Sequence, residues 1–188
     1  MTIVSRREAL AAVTAGALAA IQYGCHRSEL NGSTATLRGD PTRWSAGEMA
    51  QAVRSRVISS EQLVNACLQR IEKVNSKLNA VVRLRREGAL ADARRADELV
   101  RQGGPFGSLH GVPMTIKDSF DTAGIISTAG TKGRASFIPT SDATVVARLK
   151  AAGAILLGKT NTPEFTLSVL TDNLVYGRTD RQSVQRKS

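Results

Sequence analysis

The stretch GPFGSLHGVPMTIKD, from Gly104 to Asp118, sets the architecture of this chain. A Gly/Pro-rich loop gives way to the short apolar run Met114 to Ile116, and Lys117 and Asp118 follow. The run reads as a buried strand that delivers Lys117 at its end. An ammonium in that position must reach water or lose its proton, because burying an unpaired charge is costly. Two outcomes fit. Lys117 can snorkel from a strand end. Alternatively, a lysine of lowered pKa can act as a general base, as in Ser-Lys variants of the serine-nucleophile triad. Spacing alone does not choose between them.

Working outward, strands and helices alternate. Downstream, Ser141 or Asp142 starts a helix, Val145, Val146 and Leu149 bury it, and Gly153 ends it. The apolar run Ala154 to Leu157 then reads as a short strand. Upstream, Ser59 can N-cap a helix and Gln62 can close a capping box. Leu63, Cys67, Ile71, Val74 and Leu78 recur at helical spacing, with Val64 and Leu68 widening the stripe. Asn79 to Leu84, which includes Ala80-Val81-Val82, can form a short strand, and the run RLRREG (Arg83 to Gly88) reads as a solvated turn. Glu87 to Arg101 is a second helix on Leu90, Ala93, Asp97 and Val100, and Gly103-Gly104 end it. Strands separated by helices predict an α/β fold. Asp121 to Gly133 is loop-rich, and no residue in it stands out.

Composition narrows the function. The length of 188 residues and apolar fraction of 41% suit one domain with a sizeable core. Cys25 and Cys67, with only His26 and His110 beside them, match no metal-ligand spacing, which argues against structural zinc. Cys67 reads as a buried free thiol on a helix face. The net charge of +10 raises nucleic-acid binding. The basic residues are dispersed, however, and aromatics make up only 4% and do not interleave with them. A solvated basic surface accounts for the charge better, with no nucleic-acid partner expected.

Gly153 to Thr160, GAILLGKT, satisfies the phosphate-loop pattern G-x-x-x-x-G-K-[ST]. Its context is reversed. A helix precedes it, Pro163 follows, and Ala-Ile-Leu-Leu fills what should be a loop of free N–H groups. The run is better read as a buried strand.

Three blocks then carry a resemblance. They are GPFGSLHGVPMTIKDSFDTAGIISTAGT (Gly104 to Thr131), SDATVVARLKAAGAILLGKTNTPEF (Ser141 to Phe165) and TDNLVYGRT (Thr171 to Thr179). In this order and at these separations they resemble the amidase signature family of Ser-Ser-Lys hydrolases. The resemblance implies the N-terminal part of that α/β fold, a mixed β-sheet flanked by helices. It implies hydrolysis of carboxylic amides, a small-molecule amide substrate, and no cofactor or metal. Lys117 falls on the family's catalytic lysine, and Lys159 to Phe165 on a structural segment. The family's bridging and nucleophilic serines lie further along, in Gly-Ser-rich sequence. From Asp180 this chain instead reads DRQSVQRKS, and neither Ser183 nor Ser188 has a neighbouring glycine. The expectation is an amidase-domain portion, residues 44–179, that holds the lysine, lacks both serines and is inactive alone, with an aberrant tail at 180–188. The alternative is a non-catalytic remnant that binds a ligand or partner. Oligomeric state and substrate identity are not set by the sequence.

At the other end, residues 1–25 read as an export leader. Ser5-Arg6-Arg7 precedes an uncharged stretch from Ala9 to Gly24, suggesting the twin-arginine route. The stretch is short of the ~20 apolar residues of a membrane span. Cys25 is a candidate lipid-anchor site, and residues 26–43 read as a linker.

Overall fold

The computed structural model describes residues 39–180. The expected leader, Cys25 and most of the linker fall outside them, as do Ser183 and Ser188. Among these residues, four α-helices and three strands follow in chain order: α1 (Ala46–Arg54), α2 (Ser60–Leu78), β1 (Val81–Leu84), α3 (Arg86–Arg101), β2 (Pro113–Lys117), α4 (Thr144–Ala151) and β3 (Ile155–Thr160). The sheet order is β1-β3-β2. β3 runs antiparallel to β1 and parallel to β2. The architecture is mixed α/β, as expected.

Local chemistry explains the helix starts. Ser45 and Glu48 form a capping box on α1, and Ser59 and Gln62 form the expected one on α2. Each joins two otherwise unpaired backbone donors to side-chain acceptors. α2 has a second anchor from a distance: the Asp97 carboxylate on α3 accepts from Ser60 N at 2.6 Å and Glu61 N at 3.0 Å. Asp97 is therefore a cap on a neighbouring helix, whereas periodicity had placed it on an apolar face. The face α3 buries is Ala89, Ala93, Ala96 and Val100, which lets α2 approach closely. Asn79, in the left-handed conformation, ends α2.

Two expectations need correction. RLRREG is not a turn: Arg83 and Leu84 belong to β1, as the strand reading to Leu84 had it, Arg86 begins α3, and only Arg85 lies between. Its cations are engaged, with Arg85 bonded to Asp92 at 2.6 Å and Arg86 paired with Glu72. The helix expected from Ser141 or Asp142 begins at Thr144, and Asp142 does not cap it. The Asp142 carboxylate instead accepts from Ala123 N and Lys150 Nζ, tying the loop to the end of α4.

β3 is covered on both faces, hence its near-continuous apolar reading. Ile155 and Leu157 pack with Val64 and Leu68 of α2 and the alanines of α3. Leu156 packs from the other side with Ile116 and Val146 of α4. A third cluster joins α1 to Leu63, Val100 and Val112. Full burial of each Leu or Val contributes about 1.5–3 kcal/mol. Cys67 is a free, partly buried thiol against the first cluster, and burial raises its pKa.

The two glycines of the GAILLGKT stretch have packing reasons. Gly153 sits at φ +90°, where a Cβ would lie 2.8 Å from His110 Cα. At Gly158 a Cβ would lie 2.0 Å from the Arg83 carbonyl oxygen of β1. Neither glycine frees backbone for a phosphate. Strand β3 runs through the middle of the motif, as the reversed context implied.

Candidate active site

Parallel pairing puts the C-terminal ends of β2 and β3 side by side. Lys117 pairs with Thr160, and Ile116 with Lys159. Lys117 thus ends its strand as expected, half-buried. The three blocks converge here.

Asp118, the next residue, is fully buried. Its N–H donates to Thr160 O at 2.8 Å, holding the chain to the end of β3. Its Oδ2 accepts from Thr128 N at 2.9 Å and from the Thr128 hydroxyl. Its Oδ1 is buried with no hydrogen-bond partner among the described residues. Burial pushes the carboxyl pKa up, opposed by the Thr128 bonds and by the charges of Lys159 and Arg83. Ala129, beside this contact, takes a left-handed φ of +52°. Its N–H bonds Asp118 O and its carbonyl accepts from Phe165 N, so both neighbours fix the strained residue.

Lys159 is the largest fully buried side chain in the described residues. Its Nζ donates to Phe120 O at 2.5 Å, to Thr122 Oγ1 at 2.9 Å and to Ser127 Oγ at 2.9 Å. The two hydroxyls spend their own protons elsewhere, on Phe120 O at 3.2 Å and Ile125 O at 3.1 Å. Three acceptors therefore meet the three donors of an ammonium. Burial lowers the Lys159 pKa to about 8, against the opposing pull of Asp118, Asp121 and Asp142. This was invisible in the loop-rich reading of 121–133, yet one signal was available. A lysine inside an otherwise apolar, two-face-covered strand needs internal acceptors.

The third block closes the site through asparagines. Asn161 Nδ2 donates to Gly177 O and Thr179 Oγ1, each at 3.0 Å. Asn173 Nδ2 donates to Asn161 Oδ1 at 2.7 Å and to Thr162 O at 2.8 Å. Asn79 Nδ2, from the end of α2, reaches Tyr176 O at 2.7 Å. Residues 173–179 are thereby stapled to the strand end that faces Lys117. Among the described residues, no group of His, Cys, Asp and Glu is disposed to hold a metal ion.

The strand ends thus bring Lys117, Asp118 and Lys159 to one place, and comparisons with known proteins give the family. The Amidase family profile matches residues 62–182. Indoleacetamide hydrolase of Bradyrhizobium diazoefficiens is 45% identical over 142 residues, covering 76% of this chain and 27% of that one. An acylamidase of Rhodococcus erythropolis is 44% identical over 135 residues, covering 72% of this chain and 28% of that protein. Among solved structures, a bacterial aryl acylamidase of the amidase signature family superposes with a TM-score of 0.66 at 31% identity, covering 73% of this chain and 29% of that chain. The chain belongs to the amidase family. It spans a little over a quarter of the length of these relatives.

Proposed function

We propose that these residues form the lysine-bearing part of an amide-hydrolysing site, with Lys117 as the proton acceptor. The observation that carries the reading is the placement of Lys117. It stands at the end of β2, beside the pinned end of β3, with the loop behind it fixed by Asp118 and Lys159. A general base must be held in place before its proton affinity matters. In the chemistry the family resemblance implies, a neutral lysine takes a proton by way of one serine from a second, nucleophilic serine. Attack on the amide carbonyl gives an acyl-enzyme, the amine leaves, and water releases the acid. Residues 39–180 contain no Gly-Ser-rich segment of the kind that carries those serines. In this reading they supply the base and the frame, and the nucleophile is not among them.

The test is a graft. Residues 39–179 replace the matching stretch of the indoleacetamide hydrolase, and hydrolysis of indoleacetamide is followed. The reading predicts turnover. A graft that folds, by circular dichroism, but does not turn over contradicts it.

Residues 1–25 are proposed as an export leader on their basic start and uncharged stretch. Fractionation of cells expressing the chain, with and without Arg6→Lys/Arg7→Lys, tests it: the wild-type chain should leave the cytoplasm and the variant should not. No described helix is long and apolar enough to cross a membrane.

A further inference from the structure

Lys159 lies where it can govern Lys117 without touching a substrate. It has no exposed surface, so no ligand outside the fold reaches it. The hydrogen bonds of its Nζ all lie in the loop that follows Lys117. Phe120 N donates back to Lys117 O at 3.0 Å and closes a turn on the lysine's own peptide. The other side of that turn, Phe120 O, is gripped by Lys159 Nζ. Further round the loop the same ammonium holds Thr122 and Ser127. The Thr122 N–H joins these two by donating to Ser127 Oγ at 3.3 Å. Thr128, the next residue, is the partner of Asp118. Residues 118–128 thus form a closed ring with two pins, Asp118 to Thr128 and Lys159 to the three oxygens.

We propose that Lys159 is a positioning residue for Lys117: its buried ammonium fixes the 118–128 ring, and the ring fixes the place and direction of Lys117. The inference rests on the amidase reading for the role of Lys117, but the mechanical coupling it describes does not. It accounts for a lysine buried inside a strand, where an aliphatic residue would fill the same space without a charge to desolvate. Hydroxyl and carbonyl groups give the ammonium directional contacts that apolar packing does not. The charged groups facing Lys159 are Asp118 and Asp121 from the ring, Arg134 from the following turn, and Asp142 before α4. Asp121 is itself paired with Arg134, and Asp142 with Lys150.

The test is a titration of the whole chain by nuclear magnetic resonance. The Lys159 side-chain resonances and the backbone amides are followed from pH 6 to 10. The proposal expects the amides of Lys117, Asp118, Phe120, Thr122 and Ser127 to move with the Lys159 midpoint, and those of α2 not to. Asp118→Asn should move that midpoint to lower pH, because the Asp118 charge favours the ammonium. In Lys159→Met the shared transition should vanish, and amides 118–128 should exchange with solvent at least about tenfold faster while those of α2 hold their rates. Lys117 and Asp118 amides that ignore the Lys159 titration overturn the proposal, even if Lys159→Met fails to fold. Exchange at 118–128 that is unchanged in a folded Lys159→Met also overturns it. Neither readout uses hydrolysis, so an inactive graft would count against the amidase reading and leave this result standing.

Discussion

Replacing Lys159 with methionine removes a charge and keeps most of the side-chain volume. Two opposing effects follow. Phe120 O, Thr122 Oγ1 and Ser127 Oγ each lose a donor. Both hydroxyls keep their own bonds, so the loss is roughly 1 kcal/mol per acceptor, about 3 kcal/mol together. Against this, the ammonium no longer has to be buried. Its pKa is lowered from 10.5 to about 8, and at about 1.4 kcal/mol per pH unit that difference corresponds to about 3 kcal/mol. The lowered pKa already includes the effect of those bonds on the ammonium, so the two figures do not sum, and the slope of stability with pH is the cleaner test. Between pH 8 and 10.5 the unfolded chain holds the Lys159 proton and the folded chain does not. The unfolded state binds more protons, so wild-type stability rises with pH in that window. Integrated from pH 8 to pH 10, the gain is about 2 kcal/mol. Urea unfolding of both proteins at pH 7, 8, 9 and 10 measures it. The wild-type stability minus that of Lys159→Met should grow by about 2 kcal/mol from pH 8 to 10. Parallel curves would refute the reasoning, because they would mean that the buried amine keeps an ordinary proton affinity.

Asp118 has the opposite sign. Its folded pKa is raised by burial, so its contribution is full below the ordinary carboxylate pKa and is lost as pH rises through the raised value. Wild-type stability minus that of Asp118→Asn should therefore fall from pH 4 to pH 7, read by urea titration. Gly158→Ala drives a Cβ to within 2.0 Å of a backbone oxygen of β1. It should cost about 3 kcal/mol or more and detach β1, visible as faster amide exchange at Val81–Leu84. Leu167, Val169 and Leu174 are 85%, 100% and 78% exposed, and large apolar side chains left this open favour association. Changing all three to serine should lower self-association in sedimentation with little change in unfolding midpoint.

Much of the framework was legible because it follows from local rules. The Ser59/Gln62 capping box, the α2 stripe and the strand ending at Lys117 depend on spacings of a few residues. The phosphate-loop pattern at 153–160 could be set aside on context, and the Cβ distances at Gly153 and Gly158 give its glycines their physical reason. What stayed hidden was non-local. The partners of Asp97 are 36 and 37 residues away, and those of Lys159 are 32 to 39 away, so no window reveals them. RLRREG was misread because its charge suggested solvent, whereas Arg85 and Arg86 reach carboxylates and all of the run but Arg85 lies in β1 or α3. The polar 121–133 loop gave no sign that Thr122, Ser127 and Thr128 are buried, since hydroxyls face water as readily as they bind a buried cation.

The most direct test of the central claim is the effect of Lys117→Ala on kcat in the indoleacetamide hydrolase graft. If Lys117 is the base, kcat should fall by about 10⁴-fold, since members of a catalytic triad act as a unit. The fold, by circular dichroism, should be unchanged. A folded graft that keeps its kcat after Lys117→Ala would contradict the account, and the proton acceptor would have to be sought elsewhere.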